Sequence, residues 1–195
     1  GQPILWWSTD PRMVLEPARF RLHRSLRKTL QKLLREGRIE VRFDHDFDRV
    51  IQACAQIPRD GQSGTWILPA MVQAYARLHR AGVAHSVETW IDNELCGGLY
   101  LVNLGAMVFG ESMFSRRSDA SKIALAALAA FCRANAIPVI DCQQDTAHLA
   151  SLGGRLMPRE RFVQHLRLAV LQPAPRWEFS PVYWREFLLP GDDSA

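Results

Sequence analysis

The chain has 195 residues, 48% hydrophobic and 23% charged, with a net charge of +4. That length is enough for one good core, and that balance is ordinary for a globular protein. No apolar run is long enough to cross a membrane and no signal-peptide pattern opens the chain, so no membrane partner and a cytoplasmic location are expected. Cys54, Cys96, Cys132 and Cys142 show no paired spacing, and three of them sit in apolar periodic segments. Free thiols are expected, with neither a disulfide nor a metal site.

The first half of the chain carries the charge. Arg19, Arg21, Arg24, Arg27, Lys28, Lys32, Arg35 and Arg38 crowd one segment, opposed by Glu36 alone. Such a cluster fits a phosphate-binding face, and it fits a solvated helix equally well. Residues Ser25 to Glu36 are predicted helical. Ser25 is placed to cap the helix, Leu26, Leu30, Leu33 and Leu34 share one face, and Gly37 ends it. Ile39, Val41 and Phe43 alternate through a strand. Asp46 is placed to cap a helix through Val50, Ile51 and Cys54. A Pro/Gly/Ser-rich loop runs from Ile57 to Gly64, and Pro69 opens a helix that ends near Gly82.

Three strands follow: His85–Ile91, Glu94–Val102 and Ala106–Phe109, an antiparallel meander. Asp119 is placed to cap a helix over Ala120–Ala134. Pro138–Cys142 returns as a strand, and Pro158 opens a last helix with Phe162, Leu166 and Val170. From Gln172 the chain is rich in Pro and aromatics and reads as irregular. No repeat is present.

Two acids stand out. Glu111 follows Met107-Val108-Phe109-Gly110, and Asp141 follows Pro138-Val139-Ile140. A carboxylate at the end of an apolar strand needs partners, and such positions collect at functional sites. A helix cap or a surface turn explains them as well.

The same stretches carry a resemblance. Gly97-Gly98-Leu99-Tyr100, Phe109-Gly110-Glu111-Ser112-Met113-Phe114-Ser115, Asp141-Cys142-Gln143 and His148-Leu149-Ala150-Ser151-Leu152-Gly153 resemble the bacterial leucyl/phenylalanyl-tRNA–protein transferases. Pro3-Ile4-Leu5-Trp6-Trp7-Ser8, Asp10-Pro11-Arg12, His23-Arg24-Ser25-Leu26-Arg27-Lys28 and Gly64-Thr65-Trp66-Ile67 match in the same order. The resemblance implies an aminoacyltransferase that moves leucine or phenylalanine, with methionine as a third candidate, from aminoacyl-tRNA to proteins beginning with arginine or lysine. The product is an N-degron, marked for degradation. No cofactor or metal is implied, and a monomer is expected.

The implied fold is α/β (α+β), like that of the GNAT N-acyltransferases: a mostly antiparallel sheet flanked by helices. It would occupy residues 63–195, after a basic N-terminal part over 1–62. The turn Arg116-Arg117-Ser118-Asp119-Ala120-Ser121 lacks the glycines that hold coenzyme A pyrophosphate in acetyltransferases. An acyl-CoA-dependent acyltransferase and a noncatalytic RNA-binding module remain as alternatives.

By the same resemblance Asp141, Gln143 and Glu111 are the catalytic candidates. Residues i and i+2 of a strand share a face, so Asp141 and Gln143 are expected in one pocket with Cys142 turned away. Asp141 would attract the acceptor's ammonium, Gln143 would accept from the amine, and Glu111 with Asp141 would receive a cationic side chain. Leu99, Val108, Met113, Leu128 and Ile140 match an aminoacyl pocket, and Trp66 matches a tryptophan that stacks on the terminal adenine. Arg24, Arg27, Lys28, Lys32 and Arg35 are the tRNA-binding candidates. Core packing, a core tryptophan and a solvated face are the plain alternatives. Leu101 stands where family members usually carry glycine.

Overall fold

The computed structural model describes residues 8–57 and 67–188. Among the described residues seven strands form one sheet: β1 (Arg12–Leu15), β2 (Ile39–Phe43), β3 (Ala84–Ile91), β4 (Glu94–Leu104), β5 (Met107–Ser115), β6 (Ile140–Gln143) and β7 (Gly154–Met157). Their order is β2-β3-β4-β5-β6-β1-β7. Every neighbouring pair is antiparallel except β5–β6. Both β1 and β2 come from the first 62 residues, so the basic segment and the rest of the chain share this sheet.

The meander β3–β4–β5 stands where the Asp92-Asn93 turn places it. Both turn residues adopt positive φ, as a tight hairpin demands. β5 runs on to Ser115, six residues past the expected end. Two strands were not expected, β1 and β7. β1 lies between β6 and β7, and its Met13, Val14 and Leu15 are buried on both faces, so they show no alternation.

Helices cover both faces. α1 (Arg24–Arg35) buries Leu26 and Leu30. Ser25 lies inside it rather than capping it, and His23 at the cap position makes no side-chain cap bond. α2 (Phe47–Gln56) is capped as expected, with the Asp46 carboxylate accepting from the Arg49 N–H. α3 (Pro69–Arg80) follows. α4 (Ala120–Ala134) is buried continuously from Ile123 to Cys132, between the sheet and a layer made by α1 and the C-terminal helix.

Asp119 does not cap α4. It sits in the left-handed region, and its carboxylate pairs with Lys122 Nζ at 2.8 Å. The Ser115 hydroxyl instead accepts from the Ser121 N–H at 3.3 Å. α4 approaches β4 closely because Gly97 has no side chain. A Cβ there would stand 2.6 Å from Ala120 Cβ and 2.7 Å from the Ala120 carbonyl carbon.

α5 (Ala147–Ser151) is capped by Thr146, and α6 (Arg159–Ala169) begins after Pro158. The tail is not wholly irregular. α7 (Val182–Leu188) buries Trp184 and Phe187 in the α4 core, and Trp177 stacks on His85 at 4.3 Å. On the opposite face, α2 and α3 enclose Phe47, Ile51, Trp90, Tyr100 and Phe114. Glu88 is buried there, with Ser86 Oγ and the Asp46 N–H donating to one oxygen and Trp90 Nε1 to the other. None of the four cysteines forms a disulfide, and three of them are buried. No described helix is long and apolar enough to cross a membrane.

Candidate functional site

The parallel pair β5–β6 is short. Val108 pairs with Ile140 and Phe109 with Asp141, and no pairing follows. Beyond that point β5 continues without β6, and a cavity of about 680 Å³ opens between them. Its apolar wall is Leu99, Met113, Leu125, Leu128, Ile140 and Leu149. Glu111, Gln143, Thr146 and His148 supply polar groups. Four of the five pocket candidates therefore line it. Val108 does not: it is fully buried under the Ile140 pairing. Leu101 is also core, fully buried opposite Gly110, and lies off the lining.

Glu111 reaches the cavity because of a bulge. Tyr100 pairs with Ser112 and Leu101 with Gly110, which leaves Glu111 as the extra residue. A bulge breaks the two-residue alternation and re-aims a side chain. Tyr75 Oη on α3 donates to Glu111 Oε2 at 2.9 Å. Burial pushes the Glu111 carboxyl above the usual range, partly offset by the Tyr75 bond; Asp141 pushes it further and Arg12 opposes. Burial and Glu111 together hold the Tyr75 phenol protonated well above its ordinary range.

Asp141 is fully buried and does not line the cavity. Arg12 Nε donates to Oδ1 at 2.8 Å and Nη2 to Oδ2 at 2.7 Å, a bidentate pair. The Gln143 N–H donates to Oδ1 at 3.1 Å and Gln143 Nε2 to Oδ2 at 3.4 Å. Asp141 and Gln143 are thus in contact, but strand alternation ends between them. Gln143 has φ +57, and it lines the cavity together with Cys142. Arg12 forms its bidentate ion pair with Asp141, so Glu111 has no salt-bridge partner among the described residues.

Burial pushes the Cys142 thiol up to about 12, with Asp141 adding to the shift. Burial lowers the His148 imidazole, with Lys122 adding to the effect.

Arg24, Lys28, Lys32 and Arg35 are exposed along α1, Lys32 Nζ lying 4.0 Å from Glu36. Arg27 is half-buried and its Nη1 donates to the Phe187 carbonyl at 3.2 Å, tying α1 to α7. Trp66 lies outside the described residues, as does most of the loop before it.

The family model described as leucyl/phenylalanyl-tRNA protein transferase matches residues 14–167. The chain belongs to this family. It is 61% identical over 188 residues to the leucyl/phenylalanyl-tRNA–protein transferase of Polaromonas sp., covering 96% of this chain and 74% of that protein. Its identity is 61% to the protein of that name from Leptothrix cholodnii, over 94% of this chain and 72% of that one. For Methylibium petroleiphilum the identity is 58%, over 100% and 74%. A solved structure of a functionally unknown protein from Staphylococcus epidermidis superposes at a TM-score of 0.43 with 10% identity, over 76% of this chain and 57% of that one, which does not fix the fold type.

In this leucyl/phenylalanyl-tRNA–protein transferase family member, sequence reasoning passed over three groups at the site. Arg12 and Tyr75 are the partners of the two acids, and Leu125 completes the apolar wall. Leu125 was readable from α4, three residues before Leu128. Arg12 lies 129 residues from Asp141, and nothing local marks that pairing.

Proposed function

We propose that this chain transfers leucine or phenylalanine from aminoacyl-tRNA to the N-terminal arginine or lysine of acceptor proteins. The observation that carries this reading is the cavity between the parting strands β5 and β6. It is apolar along one wall and bordered by Glu111 and Gln143, and its volume of about 680 Å³ suits a small ligand. The parting of a single parallel pair within an otherwise antiparallel sheet also supports a GNAT-like body.

The aminoacyl side chain lies on Leu99, Met113, Leu128 and Ile140. The acceptor's cationic side chain is drawn to Glu111. Its α-ammonium first loses a proton to solvent, and the neutral amine donates a hydrogen bond to the Gln143 amide oxygen, which aims the lone pair at the ester carbonyl. The amine nitrogen bonds to the carbonyl carbon, the bond to the tRNA 3′ oxygen breaks, and the second amine proton leaves with that oxygen. The ester is already activated, so a serine or cysteine nucleophile is unnecessary. The acceptor stem runs along the exposed basic residues of α1, which contact phosphates and read no bases.

The test is incubation with phenylalanyl-tRNA and a peptide beginning with arginine, read by mass spectrometry. An added phenylalanine residue is expected, with an alanine-initiated peptide left largely unmodified. Transfer from an acyl-CoA with none from tRNA would overturn the reading in favour of an ordinary acyltransferase. RNA binding without any transfer would leave a binding module.

A further inference from the structure

We propose that Arg12 is a positioning residue for this transfer: it fixes Asp141, and through Asp141 it turns the amide oxygen of Gln143 into the cavity. This rests on the reading above. It differs in giving Asp141 no contact with the acceptor.

Each oxygen of the Asp141 carboxylate already receives two donors. Oδ1 takes Arg12 Nε at 2.8 Å and the Gln143 N–H at 3.1 Å. Oδ2 takes Arg12 Nη2 at 2.7 Å and Gln143 Nε2 at 3.4 Å. A carboxylate offers about four lone-pair sites, so none remains for an incoming ammonium. Its side chain is 0% exposed, and that of Arg12 is 15% exposed.

Chemistry also sets the Gln143 amide. An ionised carboxylate is acceptor-only, so the NH2 group must face Asp141 and the carbonyl oxygen must face away. That oxygen is the acceptor the amine needs. The arrangement holds Gln143 at φ +57, a left-handed backbone that a non-glycine residue keeps only when its surroundings insist. Thr9 Oγ1, donating to the main-chain carbonyl of Gln143 at 2.9 Å, adds to that hold.

Arg12 is itself braced. Its guanidinium lies 4.9 Å from the centre of the Phe162 ring, and it precedes a register shift between Met13 and Val14 in the β1–β6 pairing. The planar fork is essential: lysine offers a point charge and cannot serve both oxygens in a fixed plane.

The variants are Arg12→Met, Arg12→Lys, Asp141→Asn and the double Arg12→Met/Asp141→Asn. Each is followed by kcat, by KM for phenylalanyl-tRNA and for the arginine peptide, by thermal melt, and by the side-chain amide resonances of Gln143 in 15N NMR. We expect Arg12→Met to lower kcat about 100-fold with either KM changed by no more than about threefold. Arg12→Lys should recover less than about a tenth of the loss. The double variant should be no worse than the poorer single, because Arg12 acts through Asp141. The Gln143 amide resonances should move in both Arg12 variants.

A raised KM for tRNA at unchanged kcat would overturn the proposal, since Arg12 would then touch tRNA. So would losses that multiply in the double variant, or Gln143 resonances that stay put. If Arg12→Met does not fold, Arg12→Lys decides: parental kcat and parental resonances in that variant refute positioning. If the parent fails to transfer at all, the functional reading falls, and the Gln143 resonances alone still decide the positioning.

Discussion

Leu128→Ala should shift the chain's choice between its two donors toward phenylalanine. Leu128 is 1% exposed, sits on α4 and forms part of the cavity wall. The substitution removes three carbons from that wall, and phenylalanine carries about three more carbons than leucine. At about 0.8 kcal/mol per buried CH2, refilling the space favours phenylalanine by at most about 2.4 kcal/mol. Since about 1.4 kcal/mol is a factor of ten, the ceiling is roughly 50-fold. Leu99, Met113 and Ile140 will close part of the gap, and single-methylene discrimination in apolar pockets runs to about 1–3 kcal/mol. A shift of about tenfold is expected.

Stability should fall by about 2 kcal/mol, the low end for a buried leucine, because the site already borders open space. Val108→Ala is the control. Val108 is 0% exposed and packs in the same core but does not line the cavity, so it should lose roughly 1–3 kcal/mol with no change in preference. The assay mixes leucyl-tRNA and phenylalanyl-tRNA with one arginine-initiated peptide and weighs the two products by mass spectrometry. An unchanged product ratio in Leu128→Ala, or an equal shift in Val108→Ala, would refute the assignment of the wall.

Glu111→Gln should cost activity and raise stability at neutral pH. A carboxyl raised by burial stabilises the fold while protonated and loses that contribution as pH rises through its folded pKa, so the melting advantage of the glutamine variant should grow from acid to neutral pH; equal melts at every pH would contradict it. Replacing Arg24, Lys28 and Lys32 together by alanine should flatten the salt dependence of tRNA binding by about two to three units of slope without altering amino-acid choice, measured by titration across a salt series. Gly97→Ala should lower Tm by about 2–12 °C, because its Cβ would meet helix backbone at 2.7 Å, which cannot swing aside as a side-chain end can; a parental melt would show that α4 shifts freely.

What was legible in the sequence follows the range of the forces involved. α1 showed itself through Leu26, Leu30, Leu33 and Leu34, and β3 and β4 through the turn between them, because those signals repeat within a few residues. β1 gave none, since a short strand covered on both faces has no polar side to mark its period. α7 was hidden because its residues gain order only against Phe131 and the rest of the α4 core. At the site, Glu111, Gln143, Leu99, Met113, Leu128 and Ile140 were named from the family motif, and all six line the cavity. The Glu111 bulge was not, as it depends on register against Tyr100 and Leu101. Arg12 was not, because its partner is set by tertiary pairing alone.

That placement of β1 has a consequence for synthesis. Arg12 precedes Asp141 by 129 residues, so at about 5–20 residues per second the strand waits roughly 6–26 s before its partners leave the ribosome. During that interval Met13-Val14-Leu15 is an unmated apolar stretch. It is only four residues long with Arg12 included, and Glu16 follows, so charge stands at both ends and discourages pairing with a neighbouring nascent chain. The last strands to emerge close the sheet around the first, so the clasp on Gln143 forms only after the cavity walls on β4, β5 and α4 have been made.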